Sequence, residues 1–180
     1  EYVWVLDPID GTKSFISGFP LFGTLIALMH RGRSVLGIID QPILRERWVG
    51  VDGRPTTFLG KPAHTRACAG LAAAALYSTS PEMFVGADAP GYAKLREQVK
   101  LPRFGGDCYA YGQLASGHVD IVVEARLQPY DYLAMAPIIE GAGGKCTDWQ
   151  GKVLDMGSDG RVCAVGDPRL HKDVLRVLAG

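Results

Sequence analysis

Residues 1–18 read EYVWVLDPIDGTKSFISG. Tyr2 to Leu6 has the aromatic and β-branched composition of a strand, yet it runs straight into two carboxylates, Asp7 and Asp10, separated by Pro8 and Ile9. Pro8 fixes one φ and lets the chain turn back, so both acids can converge on one point. Two carboxylates held this close repel, and a shared hard cation with oxygen ligands relieves that repulsion. The backbone carbonyl of Ile9 offers a third oxygen. Gly11 and Thr12 then open a short helix, whose free N–H groups and dipole favour a phosphate. A plainer reading also fits these residues: a turn in which Asp10 caps the helix and Asp7 is a solvated strand end.

A phospho-aspartate mechanism of the haloacid-dehalogenase type is disfavoured. That pattern has one residue between its two aspartates, and here there are two. A second acidic locus lies at Gln128-Pro129-Tyr130-Asp131-Tyr132-Leu133-Ala134. Asp131 falls at the start of a helical segment, where the dipole should keep it ionised and fit to ligate a metal; the alternative is a simple N-cap. Pro137 counts against a regular helix unless it falls in the first turn or two. Glu140-Gly141-Ala142-Gly143-Gly144 reads as a helix stop.

Several elements must position these groups. Strands are expected at Gly23 to His30, Val35 to Ile39, Arg45 to Val51 and Thr56 to Leu59, forming an antiparallel meander. Gly60 to Gly70 reads as a linker between a first part, residues 1–60, and a second, residues 61–180. In the second part strands are expected at Leu71 to Tyr77, Ile121 to Val123, Lys145 to Thr147 and Val162 to Val165. Helices are expected at Pro81 to Phe84, Tyr92 to Val99, Ala110 to Ala115, Leu133 to Ala142 and Pro168 to Leu178. The 180 residues suffice for one core, and 19 Lys and Arg balance 19 Asp and Glu, so no global field points to nucleic acid or an anionic membrane. No apolar run approaches the roughly 20 residues of a membrane span. Cys68, Cys108, Cys146 and Cys163 form no C-x-x-C pair and read as buried free thiols, and the four scattered histidines argue against zinc.

Taken together, the two acidic loci resemble the lithium-sensitive, magnesium-dependent phosphatases of the inositol monophosphatase family. The first signature of that family, an apolar strand followed by D-P-I/L-D-G-T, is complete at Asp7 to Thr12. The second, W-D-x-A-A-G with an E-A-G-G end, appears as Tyr130-Asp131-Tyr132-Leu133-Ala134 and Glu140-Gly141-Ala142-Gly143-Gly144, with Tyr130 in place of Trp and Met135 in place of a small residue. The resemblance implies an α+β fold: a layered α-β-α-β-α sandwich of the sugar-phosphatase type with mixed and antiparallel sheets. It also implies that Asp7, the Ile9 carbonyl, Asp10 and Asp131 hold two or three Mg2+ ions. Gly11 and Thr12 are then expected to bind the phosphate, with the Thr12 hydroxyl orienting the attacking water. The further acids of the family, including a G-E-E-type glutamate, are expected upstream of Glu1, so the chain as it stands is expected to bind metal weakly. A homodimer is implied, in the cytoplasm, or in a plastid if a transit peptide lies upstream.

Residues 103–112, Arg-Phe-Gly-Gly-Asp-Cys-Tyr-Ala-Tyr-Gly, bear on the substrate. Family members that act on neutral polyols carry G-S or G-T where Gly106-Asp107 stands, and an acid there suits a cationic substrate. Glu124, seven residues before Asp131, falls where the family places a substrate-contacting glutamate. These features, with Ser80 to Phe84, resemble the histidinol-phosphate phosphatase branch, which implies hydrolysis of L-histidinol phosphate in histidine biosynthesis. Alternatives are a broad-specificity inositol 1-phosphate phosphatase and a non-catalytic fragment active only in metal binding or subunit contact. On the residues alone, Asp107 can instead cap a helix starting near Tyr109, and Glu124 can pair with Arg126.

Overall fold

A meander of neighbouring strands makes the first sheet. The computed structural model describes residues 1–180. Strands β1 (Tyr2–Asp10), β2 (Gly23–His30), β3 (Arg33–Gln41), β4 (Glu46–Val51), β5 (Thr57–Phe58) and β6 (Lys61–Pro62) pair in sequence order, all antiparallel. Helix α1 (Thr12–Ser17) sits between β1 and β2. Alternation along β2 puts Leu25, Ala27 and Met29 on the buried face, where Ile39 of β3 and Trp48 of β4 join them. On the other face Trp4 and Leu6 of β1 remain more than half exposed.

The second sheet is mixed. It comprises β7 (Ala75–Ser78), β8 (Leu101–Phe104), β9 (Ile121–Glu124), β10 (Lys145–Thr147) and β11 (Val162–Val165), in the order β10-β11-β9-β7-β8. The β7 strand runs parallel to both β8 and β9, so the carboxyl ends of β7 and β9 lie side by side. Helices α3 (Asp107–Ala115), α4 (Pro129–Tyr132) and α5 (Met135–Gly141) belong with the core shared by the two sheets, while α2 (Asp88–Gln98) and α6 (His171–Leu178) cover the far side of the second sheet. The layers run sheet, helices, sheet, helices, which is the layered mixed and antiparallel arrangement expected from the sequence. Helix α5 lies so close to the first sheet that a Cβ at Gly37 would collide with the Ala134 carbonyl, and one at Gly50 with the Ile138 backbone.

Several expectations shift by a few residues or need correction. Strand β1 continues through both aspartates instead of ending before them. Leu71–Ala73 is a 3-10 turn, and only Ala75–Ser78 is strand. The segment Leu101–Phe104, to which no element was assigned from the sequence, is an edge strand; edges are where a residue such as Pro102 is tolerated. The expected helix from Leu133 to Ala142 is observed as α5, Met135–Gly141, and the separate short helix α4 precedes it. Pro137 is the third residue of α5, where its missing N–H costs no intrahelical bond. All four cysteines are buried free thiols.

Candidate metal centre and its cleft

Residues three apart on a regular strand point to opposite faces, so Asp7 and Asp10 should diverge. They do not. Asp7 pairs with Leu25 and Asp10 with Gly23, so three steps on β1 match two on β2. The extra residue is a β-bulge at Pro8-Ile9, which returns both carboxylates to one side. The bulge is pinned locally: the Thr24 hydroxyl donates to the Pro8 carbonyl at 2.9 Å, and the Ile9 N–H donates to Asp7 Oδ1 at 3.1 Å.

Helix α4 delivers the third acid. Asp131 is its third residue, and its Oδ2 accepts from the Gln128 N–H at 2.7 Å, one half of a capping box with the Gln128 side chain. One carboxylate oxygen from each of Asp7, Asp10 and Asp131 lies within 4.8 Å of the others, and all three residues are half-buried. Burial raises Asp10 to about 7 against the pull of its hydrogen bonds to Cys108, and neighbouring Asp107 and Asp7 raise it further. Burial likewise lifts Asp131 to about 6. The helix dipole was expected to favour the ionised form of Asp131; the carboxyl is instead raised, though not so far as to be protonated at pH 7. A four-residue helix has little dipole, and desolvation outweighs it.

Asp10 does not cap α1. Gly11 takes that position with φ of 78°, and Asp10 Oδ2 instead accepts the Cys108 N–H at 2.7 Å from the first turn of α3. The Ile9 carbonyl accepts the Thr12 hydroxyl at 3.3 Å and keeps a second lone pair. Gly11 is required twice over: its φ is left-handed, and a Cβ there would lie 3.0 Å from the Asp107 carboxyl.

Asp10, Gly11, Thr12 and Asp131 line a cleft of about 210 Å3 that also includes Asp107 and Glu124. Asp107 begins α3 with φ of 45°, and its Oδ2 accepts the Ser14 hydroxyl of α1 at 2.6 Å. The helix thus starts two residues before the expected position, with Asp107 inside it instead of capping it. Glu124 ends β9 and does not pair with Arg126. Its Oε1 accepts both the N–H (2.9 Å) and the hydroxyl (2.5 Å) of Thr79, and its Oε2 accepts the Tyr111 hydroxyl at 2.9 Å. Burial pushes Glu124 up to about 7, against the hydrogen bonds from Thr79 and Tyr111. Tyr109 lies outside this network, donating to Glu46 at 2.8 Å and packing edge-on to Trp48. Arg103 sits over the Tyr77 ring at 5.8 Å instead of reaching the cleft.

Ser14, Thr79, Cys108 and Tyr111 were not legible as site residues. Each meets its acid across a long stretch of chain or through parallel strand pairing, neither of which leaves a local pattern. The one available signal was position: Thr79 directly follows β7, at the same end of the second sheet as Glu124.

Residues 1–179 match the inositol monophosphatase family. The chain is 52% identical to the chloroplastic bifunctional phosphatase IMPL2 of Arabidopsis thaliana, over 99% of this chain and 54% of that protein. It is 37% identical to the histidinol-phosphatase of Chlorobaculum parvum, over 89% of this chain and 62% of that protein. It therefore spans little more than half the length of these curated relatives. An inositol monophosphatase from Zymomonas mobilis superposes with a TM-score of 0.96 at 50% identity, covering 98% of this chain and 70% of that one. With the family signature complete at Asp7 to Thr12 and the match running nearly end to end, this chain belongs to the inositol monophosphatase family.

Proposed function

We propose that this chain carries the catalytic face of a Mg2+-dependent phosphomonoesterase whose substrate is L-histidinol phosphate. The observation that carries the reading is the convergence of Asp7, Asp10 and Asp131, of which Asp10 and Asp131 also line the cleft that holds Asp107 and Glu124. Three close carboxylates, two of them pushed up by burial, form an all-oxygen donor set suited to a hard divalent cation. Asp7, Asp10, Asp131 and the free lone pair of the Ile9 carbonyl are the residues that would hold Mg2+, two or three ions by family resemblance. When bound, the metal supplies a water of lowered pKa and offsets charge on the phosphoryl and leaving oxygens.

The protein's own groups do the rest. The backbone N–H groups of Gly11 and Thr12, at the first turn of α1, are the donors the phosphate would meet. Thr12 donates its hydroxyl proton to the Ile9 carbonyl, so its oxygen lone pairs are left to accept from the attacking water and orient it. The water oxygen then bonds to phosphorus as the ester bond breaks, giving the free alcohol and phosphate.

Asp107 and Glu124 supply negative charge for an alcohol that bears an ammonium and an imidazole. The histidinol-phosphatase relative supports that choice over a neutral polyol. A small phosphate ester as substrate and a homodimeric assembly complete the proposal; no helix is long and apolar enough to cross a membrane. Phosphate release by the intact protein from a panel of esters, with Mg2+ or with chelator, is the test. Histidinol phosphate should be hydrolysed fastest and only with metal; a preference for inositol 1-phosphate would remove the substrate assignment.

A further inference from the structure

Asp107 and Glu124 are only 9% and 3% exposed, yet neither pairs with a lysine or arginine. Lys13, the one cation lining the cleft, is exposed and forms no ion pair. Every side-chain donor to these two acids is a hydroxyl: Ser14 to Asp107, and Thr79 and Tyr111 to Glu124. A cationic partner would orient a carboxylate and cancel its charge together. Neutral hydroxyls orient it without supplying a compensating charge. A buried carboxylate without a counter-ion is costly, and a cationic ligand offsets that cost.

The hydroxyls come from separate elements. Ser14 lies on α1, directly after the Gly11-Thr12 turn; Thr79 follows β7; Tyr111 is buried within α3. Ser14 occupies Oδ2 of Asp107, while Oδ1 accepts no protein hydrogen bond. On Glu124 three donors leave one lone pair of Oε2 unused. Each acid is thus locked in direction and retains acceptor capacity for a ligand.

We propose that Ser14, Thr79 and Tyr111 are positioning residues that hold Asp107 and Glu124 as a fixed, uncompensated anionic wall, which selects phosphate esters whose alcohol carries a cation. The proposal rests on the reading of the cleft as a phosphate-ester site. Its failure is distinguishable from failure of that reading, because the substrate preference of the wild type is measured first. A wild-type protein with no preference for histidinol phosphate removes both.

Given that preference, kcat and KM are measured on the Mg2+-loaded intact protein with histidinol phosphate and with inositol 1-phosphate. Ser14→Ala and Tyr111→Phe are each expected to raise KM for histidinol phosphate about five- to tenfold, the size of one ordinary hydrogen bond acting through the acid it orients. Their kcat should change less than twofold, and their preference for the cationic ester should fall with the KM change. Ser14→Thr and Thr79→Ser keep the hydroxyl and should retain the wild-type preference. If Tyr111→Phe does not fold, Ser14→Ala, at a half-buried position, carries the same test. Unchanged KM for histidinol phosphate in Ser14→Ala would overturn the proposal. So would equal losses on both esters that Ser14→Thr fails to restore, since these mark a merely structural contact.

Discussion

Asp7 and Asp10 look into the same pocket because a bulge on their own strand sets three residue steps against two between their partners, Leu25 and Gly23. The spacing that would put them on opposite faces of a regular strand becomes, with Pro8-Ile9 extruded, a spacing that brings two like charges together. On the proposed reading, that crowding opposes the stability of the metal-free protein and a bound cation would relieve it.

Asp10→Asn should therefore separate function from stability. Asn keeps an oxygen for the Cys108 N–H and removes a buried charge whose carboxyl is raised to about 7. Above pH 7 the metal-free variant is expected to be about 1–2 kcal/mol more stable than wild type, by urea unfolding in chelator, while its Mg2+-dependent turnover falls at least about 100-fold. A variant both inactive and markedly less stable would show that Asp10 serves the fold first.

Gly37→Ala tests the packing that positions Asp131. The added Cβ meets the Ala134 carbonyl, in the backbone between α4 and α5, and backbone cannot rotate away. A loss of about 1–3 kcal/mol is expected from the denaturation midpoint, with weaker Mg2+ binding because Asp131 rides on the displaced segment. Unaltered stability would mean that α5 can slide freely over the first sheet.

His171 should give a pH signature of its own. Burial lowers it from 6.5 to about 4, and it bonds the Thr147 hydroxyl at 2.8 Å. Between those values the unfolded chain binds the proton and the folded protein does not, so this contribution is full above pH 6.5 and is lost as pH falls toward 4. It amounts to about 2 kcal/mol between pH 7.5 and 5. Asp10, Glu124 and Asp131, all raised, contribute with the opposite sign, so the quantity to measure is the difference between wild type and His171→Gln. That difference should change by about 2 kcal/mol over this range; a constant difference would contradict the assignment.

The site motif was legible because its residue types and spacing are local. Asp7, Asp10, Gly11 and Thr12 lie within six positions, and Asp131 stood out beside a proline and a helix start. The bulge was not legible, since a strand pattern says nothing about which residue its partner skips. The burial that raises the Asp131 carboxyl was not legible, because it depends on the packing of α4 against β1, which only the folded chain reveals. Strand β8 was hidden by Pro102, and the Ser14–Asp107 and Thr79–Glu124 contacts span 93 and 45 residues. The apolar runs of β2 and β3, bounded by turn residues at Arg31-Gly32-Arg33 and Gln41-Pro42, predicted the first sheet well.

The most direct test of the central claim is the ratio of kcat/KM for histidinol phosphate to that for inositol 1-phosphate, measured on the intact protein with saturating Mg2+ and again after chelation. A ratio well above about 10, with activity on both esters abolished by chelator, is expected from three converged aspartates beside a cleft that holds two uncompensated acids. A ratio at or below one, or turnover that survives metal removal, would contradict it.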